Sequence, residues 1–217
     1  MIAVVDYHKG NLKSVERGLI GVGADARITD DLDAIRKAEA IVLPGVGAFT
    51  DAAESMRALG QMDVLLERIA DGVPFLGICL GLHLLFDAGE EHAVDGLTPG
   101  MGLLEGVVRA LPKTDADGNA YKIPHVGWNN VDLADAALLS EQAKALFEGL
   151  PSGEFFYFTH SYAAPRTDAA IATTTHSTTF PCAVQVAQRA FGVQFHPEKS
   201  SDAGARLLKN FVALASQ

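Results

Sequence analysis

The chain has 217 residues, 48% apolar and 20% charged, a globular composition long enough to bury a core without disulfides or metal. Its 27 acidic and 17 basic side chains leave a net charge of −10, which disfavours direct binding to nucleic acid or to anionic lipid. Two cysteines, Cys79 and Cys182, are too few for a disulfide framework, and no Cys/His grouping has zinc-ligand spacing.

The start, "MIAVVDYHKG", lacks the basic lead-in and cleavage site of a signal peptide. The longest apolar run, 73–86, is too short and too broken for a membrane span. The expectation is a cytoplasmic protein that meets no membrane. In chain order, "IAVVDY" (2–7) reads as a strand. A helix follows with Leu12, Val15, Leu19 and Val22 on one face, Asn11 as candidate N-cap and Gly23 as stop. Residues 26–28 read as a strand, 30–38 as a short acidic-capped helix, and 40–45 as a buried strand ended by Pro-Gly. Helix is predicted over 51–71 with a break near Gly60, then a strand over 73–78. Strands alternating with helices predict an α/β fold, with a parallel sheet covered by helices on both faces. From residue 101 strands follow strands, which predicts antiparallel pairs flanking that core. A terminal helix with Leu207, Leu208, Phe211 and Leu214 on one side closes the chain. No repeat, low-complexity tract or linker divides it, so 1–217 reads as one domain.

The chemistry centres on "GICLG", 77–81, which is G-x-S-x-G with cysteine in place of serine, set between a strand and a helix. In that geometry the nucleophile sits on a strained turn, and the next residue's N–H is free to meet an oxyanion. The helix start favours thiolate over thiol. The same stretch equally fits a buried structural thiol with packing glycines.

A catalytic thiol needs a base and a group to hold that base. Of seven histidines, His196 in "FGVQFHPEKS" ends an apolar strand and has Glu198 two residues on, beyond a proline. A carboxylate there can fix one ring nitrogen while the other serves the thiol. His83, one helical turn after Cys79, has no such carboxylate. "LPGVG" (43–47) runs a strand into a glycine-flanked turn whose amides are free to face an anion. It lacks the last glycine of a dinucleotide fingerprint.

Together, "PGVGAF", "GICLG" and "FHPEKS" resemble the class I glutamine amidotransferases, whose mixed, mainly parallel, flavodoxin-like sheet carries a Cys-His-Glu triad. "DY…GNLKSV", "PHVGWN" (124–129), "YFTHSY" (157–162) and "HPEKS" narrow the likeness to the glutaminase subunits of imidazole glycerol phosphate synthases, and it runs the length of the chain. The resemblance implies glutamine as substrate, no cofactor and no metal. It also implies a (β/α)₈ cyclase subunit as heterodimeric partner, receiving ammonia to make imidazole glycerol phosphate and aminoimidazole carboxamide ribotide in histidine biosynthesis.

By the same resemblance Cys79 attacks the carboxamide, His196 moves the protons and Glu198 orients the ring. The oxyanion is met by the backbone N–H of Leu80 and of Val46 or Gly47. Gly47, Glu91 and the Ser161-Tyr162 backbone hold the amino-acid end, and the loop at Gly45 acts as a peptide switch. Asn11, Trp128, Asn129 and Lys199 are expected on the partner-facing surface. Two positions depart from the pattern: His83 stands where most relatives have a substrate-contacting glutamine, and His8 where many have glycine. Two other readings keep the triad residues: a glutaminase serving another synthase, and a cysteine hydrolase on the same fold.

Overall fold

β-Branched and aliphatic residues crowd the first strand, β1 (Ile2–Val5), and all four are buried. The computed structural model describes residues 1–9, 11–94 and 96–216; Gly10 of the "GNLKSV" stretch lies outside them. After β1 come α1 (Leu12–Gly21), β2 (Ala26–Thr29), α2 (Leu32–Lys37), β3 (Ala40–Gly45), α3 (Phe49–Ala58), α4 (Gln61–Ala70) and β4 (Phe75–Cys79). The break between α3 and α4 falls at Gly60, whose φ of +69° suits glycine. Asp31 caps α2 by accepting from the N–H groups of Asp33 and Ala34. Asn11 holds the N-cap position of α1, without a side-chain cap bond.

The next elements are α5 (Leu80–His83), β5 (Phe86–Gly89), β6 (Thr98–Pro99), β7 (Leu104–Ala110), β8 (His125–Leu133) and α6 (Glu141–Leu146). They are followed by β9 (Glu154–His160), β10 (Tyr162–Ala163), β11 (Ala170–Thr175), β12 (Thr179–Ala187), β13 (Ala190–Val193), a 3₁₀ turn (Pro197–Lys199) and α7 (Ser201–Ala215). Nine strands form one sheet in the order β2-β1-β3-β4-β13-β12-β11-β8-β9. It is parallel from β2 to β13 and antiparallel from β13 to β9. A smaller sheet, β10-β7-β5-β6, lies beside it.

The period-2 alternation of the strands sorts the core onto two faces. Ile2, Val4, Ala40, Val42, Leu76 and Ile78 pack with α1, α6 and α7. Ala3, Val5, Ile41, Leu43 and Phe75 pack with α2, α3 and α4. Helices therefore cover both faces, as the sequence pattern predicts. The helix after the elbow is a single turn, α5, from which the chain enters the smaller sheet. α6 interrupts the region read as strand after strand. Among the described residues no helix is long and apolar enough to cross a membrane.

Candidate active site

Three neighbouring parallel strands, β3, β4 and β13, end at one edge of the sheet, where open α/β sheets present their ligand sites. β4 delivers Cys79, which adopts φ +54° and ψ −104°, a conformation costing a non-glycine residue about 1–3 kcal/mol. Glycine is required on both sides of it. A Cβ at Gly77 would meet the backbone of Gly81 at 2.5 Å, and one at Gly81 would run into the Leu43 carbonyl oxygen. β3 sets Gly45 directly beside Cys79 in the sheet register. A Cβ there would meet the Tyr7 hydroxyl and Leu80 Cβ at 2.5 and 2.7 Å. The "PGVG" turn is thus packed against the elbow, and Gly47 leaves it at φ +109°.

β13 leads to His196, whose N–H donates to Tyr157 O (2.9 Å) and whose carbonyl accepts from Ser200 Oγ (2.7 Å). His196 Nδ1 pairs with Glu198 Oε1 at 2.8 Å, both side chains being almost fully buried. Burial works against a charged ring. The Cys79 thiol and the Glu198 carboxylate outweigh it and raise the His196 pKa to about 9. His196 Nε2 is buried without a hydrogen-bond partner among the described residues, which leaves that nitrogen for the thiol. Cys182 is also buried, and desolvation pushes its thiol well above the ordinary range, so the two cysteines differ in chemical setting.

One residue the sequence reading passed over joins this group. The Gln194 Nε2 amide lies 3.6 Å from Cys79 Sγ, and its Oε1 accepts from His83 Nε2 at 2.7 Å. Gln194 is two residues before His196, just past the end of β13 at Val193. That spacing was the available signal.

A cleft of about 500 Å³ opens over the elbow. Its lining includes Cys79, Lys199 and every expected substrate residue except Gly45: Val46, Gly47, Leu80, His83, Glu91, Ser161 and Tyr162. Gly45 lies beneath, beside Cys79. Glu91, half-buried after β5, accepts from the Phe49 N–H at 3.0 Å. Desolvation raises its carboxyl pKa, with the Phe49 hydrogen bond opposing. A larger groove of about 740 Å³ lies between Leu103–Glu105 and Arg166–Asp168, away from the thiol.

The family model for glutamine amidotransferase class-I matches residues 3–215. Two relatives named imidazole glycerol phosphate synthase subunit HisH match almost end to end. The one from Syntrophotalea carbinolica is 42% identical, covering 97% of this chain and 98% of the relative; that from Nostoc punctiforme is 44% identical, covering 98% and 95%. The chain belongs to the HisH family of class I glutamine amidotransferases. The fold extends to solved structures of lower identity. A glutamine amidotransferase crystal structure superposes with TM-score 0.71 at 19% identity over all of both chains. The glutaminase domain of Trypanosoma brucei CTPS gives 0.67 at 18% identity, covering 99% of this chain and 93% of that one.

In this HisH-family chain the expected partner-facing residues divide. Trp128 is 52% exposed and, with Val126 on β8 and Phe155 on the edge strand β9, forms an apolar face. Tyr157 lies opposite Trp128 in register, and Lys199 Nζ sits 6.0 Å from the Tyr157 ring centre. Asn11 is exposed. Asn129 is on the other face of β8, and its side chain is used internally: Nδ2 donates to Thr175 O (2.8 Å) and His125 Nε2 (3.2 Å). From there His125 Nδ1 meets His160 Nε2 at 3.0 Å, and His160 Nδ1 donates to Tyr162 O at 2.8 Å. That carbonyl only accepts, so each neutral ring donates onward in one direction, from Asn129 to the cleft wall. The histidine of "PHVGWN" and that of "YFTHSY" therefore form a buried brace.

Proposed function

We propose that Cys79, His196 and Glu198 are the triad with which this chain, as the glutamine amidotransferase subunit of imidazole glycerol phosphate synthase, hydrolyses glutamine in histidine biosynthesis. The observation that carries the reading is the convergence of a strained cysteine with a buried imidazole held by a carboxylate at 2.8 Å. The thiol proton rests on His196, whose pKa is raised to about 9, and the thiolate attacks the glutamine carboxamide carbon. The resulting oxyanion is met by the N–H of Leu80 and of Val46 or Gly47. Collapse breaks the C–N bond, and His196 gives its proton to the departing ammonia, leaving a γ-glutamyl thioester on Cys79. His196 then removes a proton from water, which attacks the thioester and releases glutamate. Glu91 and the Ser161-Tyr162 backbone bind the amino-acid end. Residues 1–217 act as one domain, a reading supported by the pairing of β4 from the first half with β13 from the second.

Ammonia passes to a cyclase subunit with a (β/α)₈ barrel, docked in the cytoplasm on the face carrying Trp128, Lys199 and Asn11. Support comes from the apolar β8–β9 face and from Lys199, which borders both that face and the cleft. The net charge of −10 suits a subunit that leaves phosphorylated substrates to its partner. The test is glutamate release from glutamine with and without the cyclase and its nucleotide ligand. Stimulation by both is expected; a rate indifferent to the cyclase would contradict the pathway assignment and favour another synthase.

A further inference from the structure

Gln194 is wholly buried, yet both ends of its amide are engaged: Nε2 with Cys79 Sγ at 3.6 Å and Oε1 with His83 Nε2 at 2.7 Å. We propose that Gln194 is a catalytic residue that donates a side-chain N–H to Cys79 Sγ, and that His83 is the positioning residue that holds the amide in that orientation. The proposal rests on Cys79 being the nucleophile.

An amide has a donor end and an acceptor end, and what one end meets decides which end faces the sulfur. Burial lowers the His83 pKa to about 4, so the ring is neutral near pH 7 and carries one proton. With that proton on Nε2, His83 fills the Gln194 oxygen. A flipped amide would set its NH₂ against the imidazole N–H and its oxygen against the thiolate, which is two mismatches in a buried site. In its Nε2–H tautomer His83 thereby keeps the N–H on sulfur. A hydrogen bond to the charged form favours thiolate over thiol. It serves twice: when sulfur attacks the carboxamide, and when sulfur leaves with its electron pair as water cleaves the thioester. A glutamine at position 83 also presents an N–H to Gln194 Oε1, whereas leucine presents none.

The test is the pH dependence of Cys79 alkylation by iodoacetamide, read at the Cys79 peptide by mass spectrometry so that Cys182 is scored separately. Tyr7, His196 and Glu198, and the other titratable groups of the cleft, Glu91, His92, His160, Tyr162 and Lys199, stay unchanged in every variant. In Gln194→Leu the midpoint should rise by about one pH unit and kcat should fall about tenfold, with KM little altered. His83→Leu should give a smaller rise, and His83→Gln should restore the wild-type midpoint. A wild-type midpoint in folded Gln194→Leu or in His83→Leu would overturn the proposal. A lowered melting temperature with an unmoved midpoint would reduce both residues to structural ones. If Gln194→Leu fails to melt cooperatively, His83→Leu decides alone. Failure of the nucleophile reading registers separately, as glutamate release that persists in Cys79→Ala.

Discussion

In the proposed mechanism His196 carries the proton handed to the departing ammonia, and its pKa of about 9 keeps that proton in place through neutrality. The rate of thioester formation should therefore fall as pH rises through about 9, which rapid-quench kinetics across pH 7–10 would reveal as a declining alkaline limb. His196→Asn should lower kcat by about 10³-fold or more, since the ring serves in both half-reactions. His83→Gln should keep most turnover. His8 adopts φ +64°, where glycine is at ease, and its Nε2 pairs with Asp30 on the surface at 3.1 Å. The left-handed strain exceeds what an exposed pair contributes, so His8→Gly should raise unfolding stability by up to about 1 kcal/mol in a urea titration. The candidate grouping of Cys79, His196 and Glu198 was legible in the sequence because it resides in short motifs. Gln194 was not: a glutamine just past an apolar strand is informative only once the fold shows what it touches.

β3, β4 and β13 contribute the proposed anion loop, nucleophile and base from consecutive positions in the sheet, although β13 is more than a hundred residues beyond β4 in the chain. Their close approach depends on glycine. Gly81→Ala would drive a methyl group into the Leu43 carbonyl, and should cost about 3 kcal/mol in denaturant unfolding along with activity. Gly45 is a poor site for a rigidifying proline for the same reason, being walled by Tyr7 and Leu80. On β8 the alternation that exposes Trp128 turns Asn129 inward. Trp128→Ala should accordingly weaken cyclase binding about tenfold or more by titration calorimetry, an effect in the range of aromatic hot spots. β1, β3 and β4 were readable because each is a continuous, buried, largely apolar run. α6 and β5 were not, because they are short elements fixed by packing and not by periodicity, while the helix read after the elbow is the single turn α5.

Across the whole molecule the buried histidines set the response to acid. His83 and His125 have pKa values lowered to about 4, mainly by burial, and His160 is lowered well below its ordinary value for the same reason. Unfolding returns them to about 6.5, so the unfolded chain binds more protons between those limits. Stability should decline as pH falls from about 6.5 to about 4, measurable as a falling melting temperature. His196 acts with the opposite sign: its contribution is full below about 6.5 and is lost as pH rises through about 9. The two effects favour near-neutral pH. Fold class and helices on both faces followed from alternating strands and helices. The smaller sheet that carries Glu91 and Tyr162 to the cleft did not, because its pairings are non-local and its strands brief.

Glutamate release by Cys79→Ala in the assembled complex with the cyclase tests the central claim most directly, with cyclase turnover on added ammonia measured in the same samples. Cys79→Ala should lose glutamate release to background, about 10³-fold or more, while the ammonia-supplied reaction proceeds at the wild-type rate. Persistent glutamate release from Cys79→Ala would contradict the triad.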